Sequence, residues 1–371
     1  MLTYITNICQ SQFAYLNNFF YNFYQKTDII FFDIETTGLS HTSSRVYLIG
    51  AVTFENTDWK FTQFLAEKDS SSEEQALLTA FASFAHHKKC FIHYNGSSFD
   101  IPYLKDRYTF YGILSPFGTA GSLDLYQTLR PLRPYLQLEN FRQKSLEPLA
   151  GYHRNDTLDG KELIKVFQAF SLQNTEPARK LLLLHNHDDL EGMTFLLAFL
   201  ALAEVFRGNF DSLTWKPVTA RSIDGLLTDE ILFQIEMGKD FPSDLTFSFE
   251  DGKMTVHKNL CRIKLPLLEG TLKYFYPDHK NYYYLPAEDE AIHKSVGTYV
   301  DPHCRVQAKA CNCYKNVSGY FLKACGTPSL PLFRPAFKSN DIYVLWNNSL
   351  KHDPKGLHSF LKEYLHAHIP C

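Results

Sequence analysis

No stretch of this chain carries the roughly 20 consecutive apolar residues that a membrane-spanning helix needs. Its most apolar run, Met193 to Phe206, has the length of a buried helix, so no membrane partner is expected. Charge of one sign is also missing: 37 Lys and Arg face 40 Asp and Glu, a formal net charge of −3. That balance excludes a chain-wide polycation and leaves nucleic-acid affinity to a local basic stripe, for which Arg130, Arg133, Arg142 and Lys144 are candidates. Among 8 cysteines there is no C-x-x-C pair, so His303, Cys304, Cys311 and Cys313 make a poor zinc motif. They are read as packed small hydrophobes. Residues 1–25 contain no Lys or Arg and their aromatics are interrupted by Asn and Gln; no signal peptide is read there, and reduced thiols in a cytoplasmic location are expected. No internal repeat or low-complexity tract is visible.

What is present is an ordinary folding composition, 45% hydrophobic and 21% charged, in 371 residues. Such a length exceeds one ordinary core, and two domains are expected. An aromatic-rich extension over 1–27 is read as helical. A strand follows at about 29–34, then alternating strands at 46–55 and 60–66 around the turn Glu55-Asn56-Thr57-Asp58. Acidic Ser72-Glu73-Glu74 opens a helix to about 86, a fourth strand ends near Asn95, a helix starts at Asp100, and Leu123-Asp124-Leu125 marks a fifth strand. Helical stretches at 143–150, 160–171 and 175–205 complete a domain over 28–206. Pro217 and Gly208-Asn209-Phe210 mark a linker over 207–225, after which the pattern turns strand-like. There Glu250-Asp251-Gly252-Lys253 reads as a hairpin turn and Asp289–Tyr299 as a helix. Residues 226–371 are expected to form a smaller α+β domain without assigned chemistry. Its tyrosines at 274, 276 and 282–284 are read as core in preference to base-stacking surface.

The chemistry-bearing segment is Phe32-Asp33-Ile34-Glu35-Thr36-Thr37-Gly38-Leu39. Residues i and i+2 of a strand share a face, so Asp33 and Glu35 can converge on one point, and two such carboxylates want a divalent cation. Downstream, His93 to Leu104 carries a strand through a Gly/Ser turn into a helix with Asp100 near its start. In the Leu-rich stretch Leu184-His185-Asn186-His187-Asp188-Asp189, His185 and Asp189 stand four apart and share one helical face. Asp188 competes with Asp189 as a ligand, but Asp189 has the register with His185 and is favoured. His187 projects elsewhere, and Asp124 is left out as a helix cap or an ordinary ion-pair partner.

Asp33, Glu35, Asp100 and Asp189, in this order and setting, resemble the DEDD exonucleases of the ribonuclease H-like superfamily, and most of all its YprB-type family. Further resemblance comes from Arg45 to Gly50, Asp124-Leu125-Tyr126 and Leu146 to Arg154 with Asp159-Gly160. It covers about residues 28–205 and implies an α/β fold, a ribonuclease H-like mixed sheet flanked by helices. It also implies a phosphodiester hydrolase, a 3′→5′ exonuclease acting on a single-stranded nucleic-acid 3′ end, with two divalent cations, Mg²⁺ or Mn²⁺, about 3.5–4 Å apart. Asp33 would bridge the ions, Glu35 and Asp189 would complete one site and Asp100 would hold the other. The resemblance further implies substrate contacts from the backbone around Thr36, Thr37, Gly38 and Leu39 and around Asn95 and Ser98. Such enzymes place a histidine five residues or a tyrosine four residues before the last aspartate. Here a histidine stands at the tyrosine spacing, so His185 is expected to orient the attacking water or to act as general base. A non-catalytic nucleic-acid-binding module or adaptor on the same fold is the alternative.

Overall fold

A computed structural model describes the chain except for residues 17–22, 211, 222–226 and 370–371. It divides into two compact units, Met1–Ala203 with Phe241–Ser243, and Glu204–Asp240 with Asp244–Cys371.

The first unit is built on a six-stranded mixed sheet. Its strands are β1 (Leu2–Asn7), β2 (Ile29–Thr36), β3 (Val46–Glu55), β4 (Asp58–Leu65), β5 (Cys90–His93) and β6 (Gly121–Asp124), in the spatial order β1-β4-β3-β2-β5-β6. β2 pairs antiparallel with β3 and parallel with β5, so it lies inside the sheet, and its Ile29, Ile30, Phe31 and Phe32 are fully buried. A run apolar on both faces is what a strand covered on both sides requires. The β3–β4 turn falls where expected, with Asn56 at φ 56°, a conformation that asparagine tolerates well.

The helices are α1 (Ser71–Ala85), α2 (Asp100–Tyr111), α3 (Leu125–Leu129), α4 (Gln143–Leu146), α5 (Gly160–Gln173), α6 (Glu176–Phe195) and α7 (Ala198–Phe206). Ser70 caps α1 by accepting from the Glu73 N–H, and Asp159 and Glu162 form a capping box on α5. Buried Glu74 on α1 takes a two-pronged ion pair from Arg107 on α2, with Nε to Oε1 at 2.8 Å, and also accepts the Val46 N–H at 3.0 Å. That pair ties two helices to the edge of β3. The apolar run 193–206 divides between the end of α6 and α7. Among the described residues, no helix is long and apolar enough to cross a membrane.

Three expectations are corrected. The extension expected as helix over 1–27 is, in its described part, strand β1 and a 3-10 turn at Ser11–Tyr15. β1 completes the edge of the sheet by antiparallel pairing with β4, Leu2 opposite Leu65, and that tertiary hydrogen bonding outweighs local propensity. Much of the expected 207–225 linker is strand β7 (Leu213–Arg221), paired antiparallel with β8 (Leu227–Phe249); residues 211 and 222–225 lie outside the described set. The expected helix Asp289–Tyr299 is strand β11 (Glu290–His293) followed by a single turn, α8 (Lys294–Gly297). There Asp289 has φ 52° and accepts the hydroxyls of Tyr284 and Tyr314, which turns the chain back along β10 (Tyr282–Leu285).

The second unit also contains β9 (Gly252–Phe275), β12 (Val306–Gln307), β13 (Tyr314–Ala324), β14 (Ile342–Leu345), α9 (Asn348–Lys351) and α10 (Pro354–His368). A five-stranded sheet runs β14-β13-β9-β8-β7 and a three-stranded one β11-β10-β12. β8 and β9 form one long hairpin whose turn is the expected 250–253 segment. Met254, Val256, Cys261, Ile263 and Leu265 are buried, and α10 buries Leu357, Phe360, Leu361, Tyr364 and Leu365. Tyr276 and Tyr282 stack on each other, centroids 4.4 Å apart. Of the cysteines with His303 in the weak zinc motif, Cys313 is buried while Cys304 and Cys311 are exposed.

Candidate active site

Asp33 and Glu35 project from the last half of β2, where a register shift against β3 falls between Glu35 and Thr36. Asp100 is the first residue of α2 and is buried. Asp189 and His185 share one face of α6, which also lies against β2. The Glu35, His185 and Asp189 ligand atoms lie within 4.8 Å of one another. His185 Nε2 stands 3.5 Å from Glu35 Oε1 and 3.2 Å from Asp189 Oδ2.

The electrostatics show how tightly the acids are gathered. Burial, then the charges of Asp189, Glu35 and Asp100, push the Asp33 carboxyl well above its ordinary range. Burial and the charges of Asp189 and Asp100 do the same to Glu35. Asp100 is pushed up to about 7, chiefly by burial, although backbone N–H groups of Asp100 and Ile34 pull it back. The charge of Asp189 acts on the other three, and four carboxylates gathered this way offer oxygen donors, the chemistry that suits hard divalent cations. The residues present therefore fit such ions.

The scaffold that aims these groups is specific. Asn186, fully buried on α6, donates to Asp33 Oδ2 at 3.2 Å and accepts from Gln63 Nε2 of β4 at 3.1 Å, while Gln63 also donates to the Leu183 carbonyl at 2.9 Å. Gly50 makes this approach possible: a Cβ there would collide with Asn186 and Leu190. Gly192, further along α6, gives the same clearance to Glu147.

Sequence reasoning missed the polar loop after Tyr152. Asp156, its carboxylate 2% exposed, lies 2.7 Å from His185 Nδ1, on the opposite side of the ring from the acids. Arg154 forms a two-pronged pair with Glu147 and reaches Asp189 Oδ1 at 2.6 Å. Its charge is reinforced by Glu147 and Asp189 against the cost of burial. Asp188 faces away from the acids: it accepts the Tyr152 hydroxyl at 2.8 Å and the N–H groups of Asn155 and Asp156 at 2.7 Å each. Burial pushes its carboxyl up, but His187 and these donors outweigh that and lower it to about 2. Asp188 thus anchors the loop that carries Arg154 and Asp156. A dense run of polar residues, Arg154-Asn155-Asp156, ahead of the Asp159 capping box was the available signal.

The remaining candidates lie on turns. The Thr36 hydroxyl donates to the Gly38 carbonyl at 2.8 Å, Thr37 Oγ1 accepts the Arg45 N–H at 2.9 Å, and Leu39 is exposed. Asn95 adopts φ 61°; its N–H donates to Asp124 Oδ1 at 2.8 Å, and the Ser98 N–H closes the turn on the Asn95 carbonyl at 3.0 Å. Asp124 also caps α3, so it shapes this turn. Arg130, Arg133, Arg142 and Lys144 are all exposed, and Lys144 Nζ lies 3.4 Å from Asp156.

Among known proteins, no curated protein matches the chain. Two of the similar solved structures are the family B DNA polymerase from the hyperthermophilic archaeon Pyrobaculum calidifontis and exonuclease I of E. coli in complex with a dT13 oligonucleotide. The first is 15% identical, with 68% of this chain and 35% of that one covered and a TM-score of 0.39. The second is 14% identical, with 56% of this chain and 55% of that one covered and a TM-score of 0.31. The chain thus spans about half, or less, of these structures' length. The family model RNase_H_2, of the RNase_H superfamily, matches residues 30–201. Around the acids of β2, α2 and α6, this chain folds as a mixed six-stranded sheet flanked by helices, with further sheets in a second unit, and over residues 30–201 it is similar to the RNase_H superfamily.

Proposed function

We propose that the protein is a metal-dependent nuclease of the YprB-type DEDD kind, hydrolysing phosphodiester bonds of DNA or RNA from a single-stranded 3′ end. The observation that carries this reading is the convergence of Asp33, Glu35, Asp100 and Asp189, from three remote segments, with His185 among them. Asp33, Glu35 and Asp189 would hold one Mg²⁺ or Mn²⁺, and Asp33 with Asp100 a second; bound there, the cations would lower the pKa of a water and neutralise charge on the leaving oxygen. His185 Nε2, aimed between Glu35 and Asp189, is placed to orient an attacking water and to accept its proton. The Asp156 carboxylate, 2.7 Å from Nδ1, stands behind the ring and would counter the charge it gains with the proton. Asn186 holds Asp33 and Arg154 holds Asp189, so both carboxylates are oriented before substrate arrives. Exposed Arg130, Arg133, Arg142 and Lys144 offer a cationic face to the phosphates, with substrate backbone contacts at Thr36 to Leu39, Asn95 and Ser98.

The test uses single strands labelled at either end, incubated with the protein and Mg²⁺ or Mn²⁺ beside an Asp33→Ala variant. Metal-dependent mononucleotide release from the 3′ label, with progressive shortening of the 5′-labelled strand and loss of both in the variant, is expected. Tight binding without release by either protein would overturn the reading in favour of a non-catalytic module.

A further inference from the structure

A second set of metal-type donors stands in the unit of residues 204–371, away from the four acids in sequence. Asp251 sits in the turn of the β8–β9 hairpin, Cys325 just past the end of β13, and His368 at the last position of α10. Three elements thus deliver one oxygen, one sulfur and one nitrogen donor, all within 4.8 Å of one another. His368 Nε2 lies 3.2 Å from Asp251 Oδ1, and Cys325 Sγ lies 4.0 Å from Asp251 Oδ2. Zinc bonds of about 2.0–2.3 Å to these atom types give tetrahedral edges of roughly 3.3–3.7 Å. The nitrogen–oxygen edge, on Oδ1, is nearly in place; the sulfur stands nearer the other carboxylate oxygen, Oδ2, and the three donors, spread over up to 4.8 Å, must draw in around an ion.

The surroundings match what metal ligands require. His368 Nδ1 lies 2.8 Å from the Tyr364 carbonyl oxygen, and donating its proton there turns Nε2 toward the other two donors. The Tyr364 hydroxyl donates to Asp251 Oδ1 at 2.8 Å, orienting the carboxylate. The His368 and Asp251 side chains are recessed, 16% and 10% exposed. Cys325 is half-buried, and burial and Asp251 hold its thiol protonated, up to about 11.

We propose that Asp251, Cys325 and His368 form a site for one ion of the zinc class, with a fourth position left to water. Binding converts the Cys325 thiol to a metal thiolate and expels its proton to solvent, together with the Nε2 proton where the imidazole carries one. The mixed sulfur, nitrogen and oxygen set selects Zn²⁺ over Mg²⁺, the reverse of the all-carboxylate set. This site stands independently of nuclease activity.

The experiment titrates the chelator-stripped full chain with Co²⁺ in excess Mg²⁺, which occupies oxygen-only sites. One equivalent is expected to produce a thiolate-to-cobalt charge-transfer band in the near ultraviolet, and Zn²⁺ to bleach it. Cys325→Ser should abolish the band. His368→Gln, with its fold checked by circular dichroism, should weaken cobalt binding by on the order of tenfold or more. Absence of the band in the wild-type chain, or a band of undiminished strength in Cys325→Ser, would overturn the proposal.

Discussion

Asp100→Asn should make the metal-free protein more stable, and the size of the gain follows from the charge it removes. The Asp100 carboxyl is held at about 7 against an ordinary 3.8, mainly by burial, with Asp124 and Asp189 adding to it. A carboxyl whose pKa is raised on folding is bound more tightly to its proton in the native state. Stability is therefore lost as pH rises from about 4 to about 7 and stays lost above. The full shift would be worth about 4 kcal/mol. The protons are shared among several acids, so roughly 1–3 kcal/mol is the expected gain for the single variant. Asn keeps an oxygen for the backbone donors and drops only the charge. Hydrogen exchange of the β2 amides in chelator reads this directly: protection at pH 8 should rise about 10–100-fold in the variant and be nearly unchanged at pH 4. Adding Mn²⁺ should reverse the order, because wild type alone gains the full binding energy. A variant no better protected at pH 8, or a gap independent of pH, would refute the reasoning.

Other outcomes follow from the same geometry. His185→Ala should slow single-turnover cleavage by about 10²–10⁴-fold with metal affinity nearly intact, and Asp156→Asn by about 10–100-fold; unchanged rates would remove both from the chemistry. Glu74→Gln leaves the buried Arg107 charge without its carboxylate and should cost about 3–5 kcal/mol in denaturant titration. Gly50→Ala forces Asn186 and Leu190 off the sheet and should cost roughly 1–3 kcal/mol, with activity falling further than the unfolded fraction accounts for.

The parts of this molecule legible from sequence are those whose cause is local. The apolar run before Asp33, the Ser70 and Asp159 caps and the four-residue spacing of His185 and Asp189 each declare an element within a few residues. The roles of Arg154, Asp156 and Asn186 were not legible: the polar run 154–156 marks a loop, but not which side chains it meets, because their partners lie on other elements. The same holds for β1, whose strand form depends on β4, and for Glu290–His293, which reads as helix until Tyr283 stands opposite Ile292. In each case long-range pairing overrode local preference.

The pleat of β2 limits how its gene can vary. Losing one codon ahead of Asp33 would put Ile34 and Thr36 where Asp33 and Glu35 stand and turn both carboxylates toward the hydrocarbon face of Phe32 and Ile34. Insertions past Leu39, where the chain meets solvent, carry no such penalty, so lineage-to-lineage length differences belong there.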